Sequence, residues 1–185
     1  MFHMEQKDTK LEIVNELLKN ESHLRDIARK LGTNHTLILR KMNILSKENV
    51  VDFREEGRNK VYFLKKSIEA KKYAFMAEDH KIIGLLKKYS DLRGIIEKIQ
   101  KNKEIRLAVL FGSYAKGIAK KDSDIDVYVN TKNSKIKQEI ERIDTRLNVK
   151  IGEYDSSNLL IMEIAKNHII LKGTEEYYEK NRFFG

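Results

Sequence analysis

Apolar residues at Leu11, Val14, Leu17 and Leu18 keep the three-to-four spacing of a helix with one buried face, over residues 5–19. In "SHLRDIARKLG" the same period turns Leu24, Ile27, Ala28 and Leu31 inward. That stretch stops at Gly32, which tolerates the left-handed backbone of a helix end. Thr33 and Asn34 are good caps for "HTLILRKMNILSKEN", where Ile38, Met42 and Leu45 share a stripe and Asn49 suits a left-handed end. The period then shortens to two in "VVDFREEGRNKVYFLKK", around a Glu-Gly-Arg-Asn turn, which predicts a hairpin.

Downstream, "SIEAKKYAFMAEDHKIIGLLKKYSDLRGIIEKIQKNK" contains no proline and predicts one long helix or two in succession. Ser90 is the expected cap of the second piece, with Leu92, Ile95, Ile96 and Ile99 as its stripe. The aromatic and Met positions of the first piece read as core or dimer contacts. "IRLAVLFG" is an apolar strand ending in Gly112. "DIDVYVN" is a second strand, with Asp124 and Asp126 on one face and Ile125, Val127 and Val129 on the other. A helix in "SKIKQEIERIDTRL" and a strand in "NVKIGEYDSS" follow, and the chain shows no internal repeat or low-complexity segment.

The segment from Gly112 to Asp126 carries the candidate chemistry. A Gly-Ser pair at a strand end starts a helical turn, aiming backbone N–H groups and the Ser113 hydroxyl beyond the strand, an arrangement suited to an anion. Two neighbouring carboxylates repel unless a divalent cation lies between them or they share a proton. Oxygen ligands alone favour magnesium or manganese, which magnesium typically satisfies with one or two carboxylates plus substrate phosphates. A phosphate cradle facing such a pair is the equipment of nucleotidyl transfer, in which two cations activate the attacking oxygen and stabilise the leaving pyrophosphate. Two other motifs fail on detail. Gly112 and Gly117 are spaced as in a P-loop, but Ile118 and Ala119 replace its Lys-Ser/Thr. Phe111 stands where a G-x-S-x-G elbow needs glycine.

Composition narrows the partners. The formal charge is +9, an excess of +4 over residues 1–66 (14 basic, 10 acidic) and +5 over 67–185 (23 basic, 18 acidic). This suits a polyanion such as DNA or a nucleotide and marks no isolated basic tail. The absence of cysteine excludes disulfides and thiolate metal sites, and the five histidines show no ligand spacing. No apolar run approaches a membrane span, and "MFHMEQKDTKLEI" lacks the apolar centre of a signal peptide, so the expected location is the cytoplasm.

Helix, helix, Gly-Thr turn, helix and two-stranded wing resemble the winged helix-turn-helix of bacterial and archaeal transcription regulators, over about residues 8–66. The resemblance implies a recognition helix at 34–47, presenting Asn34, His35, Thr36, Arg40, Lys41 and Asn43 to base edges of double-stranded DNA. Arg54, Arg58 and Lys60 on the wing would hold phosphates. Dimerisation or protein docking is the alternative use of such a module.

Gly112, Ser113, ten residues, Asp124, one residue and Asp126 resemble the Gly-Ser-x10-Asp-x-Asp signature of the nucleotidyltransferase superfamily that includes DNA polymerase beta. Ala115, Lys116, Gly117 and Ser123 also agree with it, and the likeness to minimal nucleotidyltransferases covers roughly residues 90–180. It implies that Gly112, Ser113 and Lys116 hold an NTP, ATP being the expected one, while the catalytic pair Asp124 and Asp126 binds Mg2+ or Mn2+. The family also takes a third carboxylate from a later strand. The expected position is Asn148, with Lys150 the alternative, and neither is acidic. Glu153 and Asp155 fall on the opposite face unless Gly152 is a bulge.

The expected fold class is α+β. A winged helix-turn-helix domain occupies 1–66, a helical linker 67–89, and a nucleotidyltransferase domain with a mixed sheet flanked by helices 90–185. The expected function is transfer of an NMP to a hydroxyl on a protein, such as a partner toxin, or on a small molecule. The alternative is a DNA-binding transcription regulator whose second domain is a catalytically weak nucleotide sensor or dimerisation module. A homodimer is expected, and no membrane partner.

Overall fold

A computed structural model describes residues 8–185, so positions 5–7 of the first expected helix lie outside the described residues. The chain divides into two compact units, residues 1–77 with Phe184, and residues 78–183 with Gly185.

The first unit opens with α1 (Thr9–Lys19), capped by Asp8, whose carboxylate accepts from the Lys10 N–H at 3.2 Å. It buries Leu11, Ile13, Val14 and Leu17. The next helix, α2 (Leu24–Lys30), begins at the first residue of its apolar stripe, two residues into the stretch that starts at Ser22. Ser22 and His23 form a short strand, β1, instead. Long-range pairing decides this, because β1 lies antiparallel to β3 (Asn59–Leu64), with Ser22 opposite Tyr62. Helix α3 (His35–Lys47) is capped by Asn34, which accepts from the Leu37 N–H at 2.8 Å. Asn49 follows it with φ +60°. The hairpin of β2 (Val51–Glu56) and β3 turns at Gly57, where φ is +61°, and the sheet runs β1-β3-β2. Ile13, Ile27, Ile38, Met42 and Leu45 close the core against α1, α2 and α3.

Helix α4 (Ile68–Lys88) starts at Ser67, whose hydroxyl accepts from the Ala70 N–H at 3.1 Å. Of the two expected forms, the long apolar stretch takes the second, a pair of consecutive helices. Ser90 does not cap the second of them, α5 (Arg93–Lys101): it opens a 3₁₀ turn over Ser90–Leu92 that feeds α5 directly.

The second unit is a four-stranded mixed sheet, ordered β6-β5-β4-β7. Its strands are β4 (Ala108–Leu110), β5 (Ile125–Asn130), β6 (Leu147–Gly152) and β7 (Ile169–Lys172). β4 lies antiparallel to both β5 and β7, and β5 lies parallel to β6. The helix α6 (Gly112–Ala115) follows β4, and α7 (Ser134–Glu141) makes the crossover between the parallel strands. α8 (Leu159–Lys166) and α9 (Thr174–Lys180) flank β7. The core gathers Ile95, Ile96 and Ile99 of α5 against Ile125, Val127 and Val129 of β5 and Ile136 and Ile140 of α7. Each fully buried aliphatic side chain there contributes on the order of 2 kcal/mol.

One carboxylate lies inside this unit. Glu78, 1% exposed, accepts from the Tyr178 hydroxyl at 3.0 Å and from the Lys81 ammonium at 2.8 Å. The His168 ring nitrogen Nε2 stands 3.7 Å away, an ion-pair distance rather than a hydrogen bond. Burial alone would raise the pKa of Glu78, but His168 and Lys81 reverse this and hold it at about 2, below its ordinary 4.5. The stabilisation from the charged form is therefore complete above about pH 4.5 and disappears as pH falls through about 2. Glu78→Gln is expected to cost about 3 kcal/mol at neutral pH, because it leaves the Lys81 ammonium without its carboxylate. Urea unfolding of both proteins at pH 7 and pH 3 checks this: the gap narrows at pH 3, and an equal gap at both refutes the assignment.

Candidate functional site

β4 is fully buried, and the chain leaves it through Phe111, whose N–H donates to the Asp126 carbonyl at 2.9 Å. Gly112 follows with φ +70°, a backbone that L side chains rarely adopt. A Cβ at this position would collide with Asp126 Oδ2. Glycine is thus required twice, once for the turn and once for the approach of backbone to carboxylate. Ser113 comes next, half-buried, and its hydroxyl makes no hydrogen bond among the described residues.

Residues 116–124 form the loop that returns to β5. The Lys88 ammonium donates to the Gly117 carbonyl, and Ser123 Oγ accepts from the Lys120 N–H at 2.8 Å. Lys116 is exposed, and its ammonium lies 3.9 Å from Glu163 of α8, a weak surface pair. Asp124 is exposed and stands just before β5, while Asp126 is half-buried inside it. The alternation of β5 sends Ile125, Val127 and Val129 to the core and leaves Asp126 on the opposite face.

The parallel register puts Asn148 of β6 opposite Asp126, and Lys150 opposite Tyr128. Asn148 Nδ2 donates to Asp126 Oδ1 at 2.8 Å. Asn148, the expected place of a third carboxylate, thus touches the second aspartate through its amide. Pairing between β5 and β6 continues without a shift through Gly152, so no bulge turns the later acids inward. Glu153 lies five positions along from Asn148, roughly 16 Å at about 3.3 Å per residue. It is paired with Lys132 at 2.8 Å, and this cation lowers its pKa. Asp155 accepts from the Ser157 N–H and hydroxyl, and those bonds lower its pKa. No cluster of three acidic or histidine side chains suited to a metal occurs among the described residues.

Arg146 is the residue that sequence reasoning missed. Its guanidinium makes a fork with Asp144, at 3.1 and 2.9 Å, and reaches Asp91 at 3.0 Å. Tyr114 Oη at 3.4 Å and the Lys121 carbonyl at 3.5 Å lie at the edge of its reach. Its carbonyl accepts from the Ile125 N–H at 2.8 Å, between the two aspartates. The Asp144 hydrogen bonds hold its pKa well above the usual range. One residue thus ties together the Gly-Ser turn, the returning loop and the entry of β5. Asp91 is 55 residues away, so no local motif announces it.

In the first unit, His35, Thr36, Arg40 and Asn43 are exposed on α3, Lys41 is half-buried, and Asn34 spends its carbonyl oxygen on the cap. On the wing, Arg54 is held by Glu21 and Glu56, and those bonds raise its pKa. Lys60 lies over the Phe53 ring, 3.8 Å from its centroid. Arg58 at the turn is exposed and has no partner among the described residues.

Residues 93–177 match the family model described as polymerase beta, nucleotidyltransferase. The second unit thus carries a nucleotidyltransferase domain of the polymerase beta type. No curated protein matches the chain. Among solved structures, the chain is similar to the transcriptional repressor BigR from Xylella fastidiosa, at 16% identity and a TM-score of 0.34, over 37% of this chain and 67% of that one. It is also similar to a homodimeric winged helix-turn-helix DNA-binding domain from Mycobacterium bovis, described as a possible ArsR-family transcriptional regulator. That match has 19% identity and a TM-score of 0.36, over 46% of this chain and 75% of that one.

Gly112→Ala tests how closely the turn and Asp126 depend on each other. The added methyl meets the carboxylate and the backbone must leave its left-handed conformation, so a loss of about 2 kcal/mol is expected. Thermal unfolding measures it, and a melting temperature equal to wild type refutes the close approach.

Proposed function

We propose that the second unit binds a nucleoside triphosphate with a divalent cation and transfers its NMP to a hydroxyl acceptor, while the first unit binds double-stranded DNA. The observation that carries this reading is the closure of the Gly112–Ser113 turn onto Asp126, which joins both halves of the signature in one place. The backbone amides of this turn and the Ser113 hydroxyl orient phosphates, and Lys116 adds a positive charge beside them. Asp124 and Asp126 form an oxygen-only donor set that fits a cation arriving with those phosphates. When bound, the cation offsets phosphate charge and polarises a phosphoryl oxygen. Magnesium or manganese is the expected ion and ATP the expected nucleotide. The residues at 1–66 and 90–185 are the two working domains, and the helical stretch 67–89 joins them.

Removing the acceptor's proton is the step this chain equips least. The Asn148 amide cannot take it, and Glu153 and Asp155 are engaged elsewhere. Loss of a general base typically slows transfer by about 10²–10⁴-fold. This favours a second reading, a transcription regulator in which the same site senses a nucleotide. The acceptor in the first reading is a protein, such as a toxin partner, or a small molecule, and the working form is a cytoplasmic homodimer. Among the described residues no helix is long and apolar enough to cross a membrane.

For DNA, the exposed face of α3 supplies amide, hydroxyl and guanidinium groups that match base edges. Arg58 supplies a phosphate contact, and Arg54 is already neutralised by two glutamates. Affinity for duplex DNA is expected to fall by about a decade or more between roughly 50 and 200 mM salt. In the full-length protein, Arg58→Ala weakens all sequences alike, Arg40→Ala weakens a preferred site, and Arg54→Ala has the smallest effect. Fluorescence anisotropy on promoter fragments reads all three, and no binding at low salt removes the DNA assignment.

Radiolabelled NTP, magnesium and a cell lysate test transfer. Asn148→Asp places a carboxylate where the base is missing and is expected to raise labelling by about 10² or more. Lys150→Ala controls for a simple change of charge. An equal, fast rate in wild type and Asn148→Asp moves the base elsewhere. Tight nucleotide binding with no labelling in either protein selects the sensor.

A further inference from the structure

We propose that this site takes a single divalent cation, delivered with the nucleotide, and that Asn148 excludes the second. The inference rests on the nucleotide reading above and concerns how many cations the donor set can hold.

Of the two Asp126 carboxylate oxygens, only Oδ1 has a hydrogen-bond partner among the described residues. Oδ1 accepts from the Asn148 amide, and Oδ2 lies against the Gly112 backbone, so close that no Cβ fits there. A cation approaching Oδ1 meets the amide hydrogens of Asn148, which carry partial positive charge. Rotating the amide by half a turn presents its carbonyl oxygen instead, which is a neutral ligand. Lys150 is exposed and points from the same face of β6, adding a full positive charge in the next row.

The two cations of a nucleotidyl-transfer site differ in what holds them. A cation that arrives with the nucleotide would take part of its ligand set from the phosphates, whereas a second one would draw more of its ligands from carboxylates. Here Asp124 and Asp126 serve the first, and the second loses the unit charge a third carboxylate would supply. A unit charge about 4 Å from a divalent cation, at an effective dielectric near 20, is worth roughly a millionfold in affinity. No other acid compensates, because Glu153 is bound to Lys132 and Asp155 to Ser157. The donors therefore fit one cation and do not fit two.

The test counts bound Mn2+ by electron paramagnetic resonance, using full-length protein and a non-hydrolysable ATP analogue. The wild type is expected to bind no Mn2+ without the analogue and one per chain with it. Asn148→Asp is expected to bind two per chain with the analogue, with a melting temperature checked alongside. Two Mn2+ per wild-type chain overturn the single-cation proposal and leave the nucleotide reading intact. One in both proteins overturns the role of Asn148. No analogue-dependent Mn2+ in the wild type or in Asn148→Asp overturns the nucleotide reading itself.

Discussion

β5 sends Ile125, Val127 and Val129 to the core and Asp126 to the opposite face, and the second unit is arranged around that division. Ile125, Val127 and Val129 are locked into the core between α5 and α7. With side chains alternating along a strand, this burial fixes the direction of Asp126 without any contact to a ligand. A slip of one residue would turn the Asp126 carboxylate into the aliphatic core, at a cost comparable with the few kcal/mol that separate folded from unfolded chains. The hydrophobic core thus aims the acid, and Gly112 then gives the neighbouring turn room to close on it.

The same core sets the relation between β5 and β6. Leu147 and Val149 pack inward beside Ile125 and Val127, so Asn148 has to face Asp126 across the parallel pair. An amide and a carboxylate at hydrogen-bond distance are a stable pair, whereas two carboxylates there would repel unless a cation joined them. An amide at this position therefore avoids an electrostatic cost in the fold and offers no proton acceptor. Arg146 works in the opposite direction. It holds the turn, the returning loop and the strand entry in one place, so the loop needs no regular structure to bring Asp124 to the site.

In the first unit the wing follows a similar logic of charges already spent. Glu56 of the wing and Glu21, just before β1, both pair with Arg54. Lys60 lies on Phe53 and covers an aromatic ring that the hairpin leaves partly exposed. Arg58 remains at the tip of the turn. The number of arginines and lysines in a segment is thus a poor measure of the charge it can offer a phosphate.

Periodicity made the helices α1, α2, α3 and α5, the wing and the strand β5 legible, because each buries one face and the spacing of apolar residues records which. The Gly-Ser-x10-Asp-x-Asp spacing revealed the candidate site for a related reason: a sharp turn and two acids one residue apart leave a local trace. The elements without such a trace were β1, α8, β7 and α9, which are short or depend on pairing. Ser90 satisfied the chemistry of a cap, yet the chain tightened into a 3₁₀ turn there. The register that brings Asn148 to Asp126, the ion pairs that occupy Arg54 and Glu153, and the reach of Arg146 to Asp91 join residues distant in sequence. Local spacing cannot encode such contacts, because each depends on where packing brings a second segment. The sequence alone determined which chemical groups the site contains, and the tertiary structure decided which of them remain free to act.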